Sequence, residues 1–182
     1  MEFPDIVLEK RSEQTTALEP EQFDDNMTKT EAAIAKLNAL ARAISQFGEM
    51  YFTGNAIATS CASSATDYVV EGVLAAGQCN LVTFLVDNSS LVLPAGTWIV
   101  EAVASFAGIS AHSYRFAFAL DGTVDAHHIG RVAVASTDTR VVAVVGILTT
   151  TEGQKLTIMV RDEAGTGNVT ISDLTVIARR VA

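Results

Sequence analysis

Two hydrophobic rhythms divide the chain near residue 50. Upstream, Met27, Ile34 and Ala41 fall seven apart, and so do Thr30, Leu37 and Ile44. Spacing that alternates between three and four places all six along one side of a helix, at the a and d positions of a heptad. Pro20 suits a first helical turn, where its missing N–H is no loss. Thr28 with Glu31 offers a second start as a capping box, and Gly48 supplies a stop. The spacing predicts a helix over residues 20–48. Leu40 and Phe47 lie beside the seam at g positions, so the stripe is wider than a two-stranded coiled coil needs. One reading lays a single helix on the domain that follows; the preferred reading bundles the helix with copies of itself. Ile at a with Leu at d suits a dimer in isolation, so the seam alone does not set the copy number. Three heptads are short for a free-standing coiled coil, and the downstream domain must help hold the chains together.

From residue 50 the period falls to two. "MYFTGNAIATS", "NLVTFLVD", "TWIVEAVASFA", "SYRFAFAL", "GRVAVAS", "RVVAVVGILTT", "KLTIMVRD" and "NVTISDLTVIARRV" are short β-branched or aromatic runs punctuated by Gly, Asp, Asn, Pro or Ser. Trp98, Val100, Ala102, Ala104 and Phe106 alternate strictly, as do Tyr114, Phe116, Phe118 and Leu120. Each set should face the core, with Glu101 and Arg115 on the opposite faces. "LDGT" (residues 120–123) and "TTEGQK" (residues 150–155) read as tight turns. About eight strands with no helix between them predict a mainly β fold, an antiparallel sandwich or jelly roll over residues 50–182. "RVVAVVGIL" is apolar on both faces, which points either to a second buried surface, such as a subunit interface, or to a central strand under a long loop.

Composition narrows the partners. A chain of 182 residues allows one compact domain with an appendage. The net charge of −9 argues against nucleic acid, which needs a basic face. Residues 1–31 hold nine acids and three bases, so they carry −6 of that −9. Residues 1–19 are expected to be an extended or disordered arm in the free protein, with Phe3, Ile6, Val7 and Leu8 as apolar anchors and Pro4 favouring an extended chain. No apolar run is long enough for a membrane span, and "MEFPDIVLEKR" lacks the basic-then-apolar order of a signal peptide, so no membrane insertion is expected. Cys61 and Cys79 have no metal-type spacing and are expected to be free, buried thiols.

Candidate chemistry is sparse. Phosphate loop, dinucleotide glycine motif, nucleophile elbow and zinc-binding His-Glu pair are all missing from the sequence. In "DGTVDAHHIGR" (residues 121–131), Asp125, His127 and His128 are metal-ligand types. Neighbouring strand residues point to opposite faces, however, so a loop with exposed histidines is the preferred reading. His112 is expected to hydrogen-bond at a loop, and Asp162 with Glu163 to form a solvated acidic turn. Nucleophile, base and orienting group do not occur together, so neither an enzyme nor a cofactor is expected.

Two stretches resemble known families. "EPEQFDDNMTKTEAAIAKL" resembles the amino-terminal helix of many phage fibre and virion-appendage proteins. "LVLPAGTWIVEAVASF" resembles the "LPAGTY"-type strand opening of small phage fibre-tip domains, which are similar to the tumour-necrosis-factor and complement-globular-head jelly roll. The ending "DLTVIARRVA" fits the last strand of that superfamily, which lies in the middle of a sheet. The resemblance implies a homotrimer with its helices bundled along the threefold axis, and a place in the virion after synthesis in the bacterial cytoplasm. It leaves two functions open. One is a capsid-decorating or head-fibre protein docked through its arm on another virion protein. The other is the receptor-binding tip of a tail fibre, taking a host surface glycan or protein. The long repetitive shaft, the collagen-like tract and the self-cleaving chaperone region of larger fibres are missing from the sequence.

Overall fold

The computed structural model describes residues 20–44, 46–86, 89–136 and 138–181. Its helix, α1 (Pro20–Ile44), lies mostly in one unit, and residues from Ala43 onward form a second, compact unit built of strands. The expected arm and its anchors Phe3, Ile6, Val7 and Leu8 fall outside the described residues.

The helix starts at Pro20, as its spacing implies, but it ends at Ile44 and not at Gly48. Phe47 and Gly48 open the first strand, β1 (Phe47–Phe52), opposite Arg179 and Ala178. Phe47 also exchanges backbone hydrogen bonds with Asn80 at 3.1 and 2.8 Å. Asn80 thus satisfies both the amide and the carbonyl of Phe47, which a further helical turn would leave at a frayed end. Gly48 is small for a packing reason instead of a capping one. A Cβ there would come 2.5 Å from Val82 Cγ1.

Eleven more strands follow: β2 (Ala58–Cys61), β3 (Tyr68–Val69), β4 (Ala75–Ala76), β5 (Thr83–Leu85), β6 (Ser90–Leu93), β7 (Gly96–Ala107), β8 (Ser113–Leu120), β9 (Thr123–Ala133), β10 (Arg140–Thr150), β11 (Gln154–Asp162) and β12 (Gly167–Arg180). The described residues hold twelve strands against eight runs read from the sequence: the two-residue β3 and β4 carry no alternation, and the four-residue β6 lies outside the runs. The first run also breaks into β1 and β2. All pair antiparallel. Sheet A runs β10-β7-β12-β1-β4, with β2 beside the first half of β12; sheet B runs β5-β6-β11-β8-β9, with β3 on β11. The carboxy-terminal strand is central in sheet A, flanked by β7 on one side and by β1 and β2 on the other.

The two sheets close on one core. Trp98, Val100, Ala102, Ala104 and Phe106 of β7 are all buried, and so are Tyr114, Phe116 and Phe118 of β8. Phe106 meets Phe116 at 4.9 Å between ring centroids and Tyr114 at 5.8 Å edge to face, a geometry that suits the ring quadrupoles. In β12 the alternation slips at Ser172–Asp173, where two polar residues stand in a row. A register shift there acts as a bulge, keeping Val169 and Ile171 inward before it and Leu174, Val176 and Ala178 inward after it. The turn between β8 and β9 is the expected tight one, with Asp121 at φ 50° and Gly122 at φ 79°.

Candidate assembly surface

Strand β10 decides what its two apolar faces are for. It is an edge strand of sheet A and not a central one under a loop. Val142, Val144 and Leu148 face the core, while Val141, Val145 and Ile147 are 63, 60 and 61 % exposed. The apolar character continues across the sheet. Successive outward rows from β10 through β7 and β12 to β1 read Ile147–Ile99–Arg179–Phe47, Val145–Glu101–Ile177–Glu49 and Ala143–Val103–Thr175–Tyr51. Eight of these twelve positions are apolar, an unusual density for a face left in water. Glu101 and Arg179 supply opposite charges in neighbouring rows.

The helix leaves its seam open as well. Met27, Ile34 and Leu37 are 52, 52 and 58 % exposed, and Thr30 and Ala41 are exposed beside them. Thr30 Oγ1 is bonded to the Asn26 carbonyl at 2.8 Å inside the helix. Ile44 is the last helical residue. The six seam positions therefore do fall on one helix, and the described ones are not covered within the single chain.

The titratable groups are built into structural ties. His127 and His128 lie on β9, not on a loop. Their side chains part as neighbouring strand residues must, 91 % and 28 % exposed, yet the Asp125 carboxylate reaches both at 3.3 and 2.9 Å. Ile147 N–H donates to His128 Nε2 at 3.4 Å, so the network assigns the ring proton to Nδ1, facing Asp125. His128 thus occupies an amide on the edge strand β10. Gly146 makes the approach possible, since a Cβ there would lie 2.5 Å from His128 Cγ. Burial pushes the Asp125 carboxyl up, but the His127 amide and the His128 ring outweigh it and leave it below the usual range. Among the described residues, no group of three or more His, Cys, Asp or Glu is placed to hold a metal ion.

Asp162 corrects the expectation of a solvated acidic turn. It is fully buried at the end of β11, bonded to His112 Nδ1 at 2.6 Å and accepting from Ala164 N–H at 3.0 Å. Burying a carboxylate requires such partners, and His112 and the loop backbone supply them. Its neighbour Glu163 accepts from Arg131 Nε at 3.1 Å and Arg161 Nη2 at 3.2 Å. Burial raises its pKa, yet the two guanidinium groups outweigh that and hold it below the usual glutamate range. Asp67 takes a bidentate bond from Arg115, with Nε at 3.2 Å from Oδ1, and lies 3.9 Å from Arg161. Five charges on sheet B therefore form one chain, which sequence reasoning missed. Alternation sends Arg115 to the outward face, but its partner is 48 residues away and lies on no periodic run.

The cysteines are free, Cys61 buried as expected and Cys79 exposed against expectation. Burial pushes the Cys61 thiol up, against a lowering backbone hydrogen bond from Asp162, so it is a poor source of thiolate.

No family model matches the chain, and no curated protein matches it. Solved structures do. The globular domain of zebrafish complement 1qA superposes with a TM-score of 0.52 at 10 % identity, covering 75 % of this chain and 98 % of that one. The Eiger TNF of S. frugiperda gives 0.52 at 12 % identity, over 75 % and 94 % of the two chains. Murine APRIL gives 0.50 at 7 % identity, over 74 % and 99 %. The sandwich therefore has the jelly-roll fold of the tumour-necrosis-factor and complement globular domains. At these identities the likeness is one of fold.

Proposed function

We propose that this chain is a homotrimeric structural protein of a tailed-phage virion, a head-fibre or capsid-decorating knob anchored by its amino-terminal arm and without enzymatic activity. The observation that carries the assembly is the outward face of sheet A, where apolar side chains of β10, β7, β12 and β1 stand in register, Val145, Ile147, Val103 and Tyr51 exposed and Ile99, Ile177 and Phe47 half-buried. Burial against copies of itself removes that surface from water, and the same assembly gives the helical seam of Met27, Thr30, Ile34, Leu37, Ala41 and Ile44 its partners. The virion role draws support from the sequence resemblance of residues 19–37 and 91–106 to phage appendages. The helix of 25 residues is about 37 Å long at ~1.5 Å per residue, a short stalk that favours a decoration over a far-reaching fibre.

In this reading residues 1–19 dock on another virion protein. Phe3, Ile6, Val7 and Leu8 are few, so each copy binds weakly and three copies bind together by avidity. Deletion of residues 1–19 leaves a folded trimer that no longer co-sediments with particles lacking the native protein. Undiminished co-sedimentation, or a large fall in melting temperature, would count against the arm as the anchor. A second reading, a tail-fibre tip that takes a host saccharide, gains support from a lined cavity on sheet B. Antibody labelling of the particle separates the two: label over the head favours the first, label at the tail end the second.

A further inference from the structure

On the outward side of sheet B, a cavity of about 320 Å³ is lined by Val69, Ser90, Asp121, Lys155, Thr157 and Met159, with the turn glycine Gly122 at its rim. It exists because two strands share one edge of β11 without meeting. Strand β6 pairs with residues 154–156 and β3 with residues 159–160. Thr157 falls in the gap, and the register Leu156↔Leu91 continues to set it across from Ser90. Leu91, Leu93, Leu156 and Ile158 are buried in the core, so Ser90 and Thr157 belong to the other face. Both are nevertheless more than nine-tenths buried, at 0 and 8 % exposure. Neither hydroxyl has a hydrogen-bond partner among the described residues. Two facing hydroxyls, buried and unpaired, are costly for the free fold, and alanine and valine would fill the same places without that cost.

We propose that this cavity is a saccharide-binding site. A sugar hydroxyl donates and accepts at once, which matches what Ser and Thr hydroxyls lack here. Both hydroxyls lie beneath the cavity surface, so bonding to an entering ligand takes a χ1 rotation. Asp121 and Lys155 bring an acceptor and a donor of opposite charge to the rim, suited to a neutral polyol more than to an ion. Val69 and Met159 offer an apolar surface to the C–H face of a ring. The volume is at the small end of ligand sites, roughly 300–1,000 Å³, and suits a single ring. A second cavity of about 580 Å³, lined by Tyr68, Glu71 and Ser89 among others, shares Val69 with the first and provides a course for a longer glycan. The site deepens the second reading, in which the knob takes a saccharide, and is carried by the cavity's own lining; whether the knob sits on head or tail does not enter.

The test is an array of oligosaccharides from bacterial surface polysaccharides, probed with the full chain, followed by calorimetric titration of the strongest binder. Wild type is expected to bind at least one of them. Thr157→Val and Ser90→Ala are each expected to weaken that binding about tenfold. Their melting temperatures should equal or exceed that of wild type, since the hydroxyls removed are unpaired. No binding by wild type, or undiminished binding by both variants, overturns the proposal. Light scattering on the same samples reports the assembly separately, because both substitutions lie on the sheet opposite Val145. A trimer that binds no saccharide sinks the site alone, and a monomer that binds one sinks the assembly alone.

Discussion

Replacing Val145 with Asp should dissolve the assembly and spare the fold. Val145 is 60 % exposed in the single chain, so the sandwich itself has little to lose there. Full burial of a valine side chain is worth roughly 1.5–3 kcal/mol, and the exposed part leaves about 1–2 kcal/mol to be gained on association. Asp forfeits that gain and adds an uncompensated carboxylate to an apolar contact, at about 2 kcal/mol after partial hydration. Three copies bring the loss to about 10 kcal/mol per trimer, or about seven orders of magnitude in the association constant. Multi-angle light scattering at about 1 μM should therefore give the trimer mass for wild type and the monomer mass for Val145→Asp, with far-ultraviolet circular dichroism unchanged. The neighbouring Val144→Asp provides the contrast. Val144 is 3 % exposed and faces the core, so the same charge one residue earlier should unfold the sandwich. A Val145→Asp chain that remains trimeric, or that loses its sheet signal, would refute the assignment of this face.

Two further outcomes follow from the helix and from the ion chain on sheet B. Ile34→Asp with Leu37→Asp puts charge into the open seam, so spin labels on the helices should move apart while the knob keeps its melting temperature; unchanged label distances would show that the seam is not a contact. Glu163 has a folded pKa below its unfolded one, so the stability it lends is fully present above the ordinary glutamate range and disappears as pH falls through the folded value. Glu163→Gln should cost about 1 kcal/mol or less at neutral pH, with the gap to wild type closing as pH falls through and below the ordinary glutamate range. A gap that stays constant across that range would mean that the charge of Glu163 is not what stabilises the loop.

What residue order determined by itself is whatever depends on near neighbours. The period of two in Trp98, Val100, Ala102, Ala104 and Phe106 sends those side chains to one face of any strand they form, and all five are core. The same local logic placed the turn at Asp121–Gly122, since positive φ there is a property of two adjacent residues. The heptad of Met27, Ile34 and Leu37 likewise lies on one helix, with its side chains exposed. Tertiary structure decided everything that joins distant positions. Gly48 resembles a helix stop until Val82, far along the chain, occupies the space where its Cβ would be. Asp162 looks like a surface acid because no short-range pattern announces His112, 50 residues earlier, as its partner. The gap between β3 and β6 that sets Ser90 against Thr157 comes from two strands that meet β11 at different heights, and no window of the sequence contains all three. Pairing between strands is a long-range choice made by the whole core at once, and residues that depend on it can be read only after the sheets are assembled.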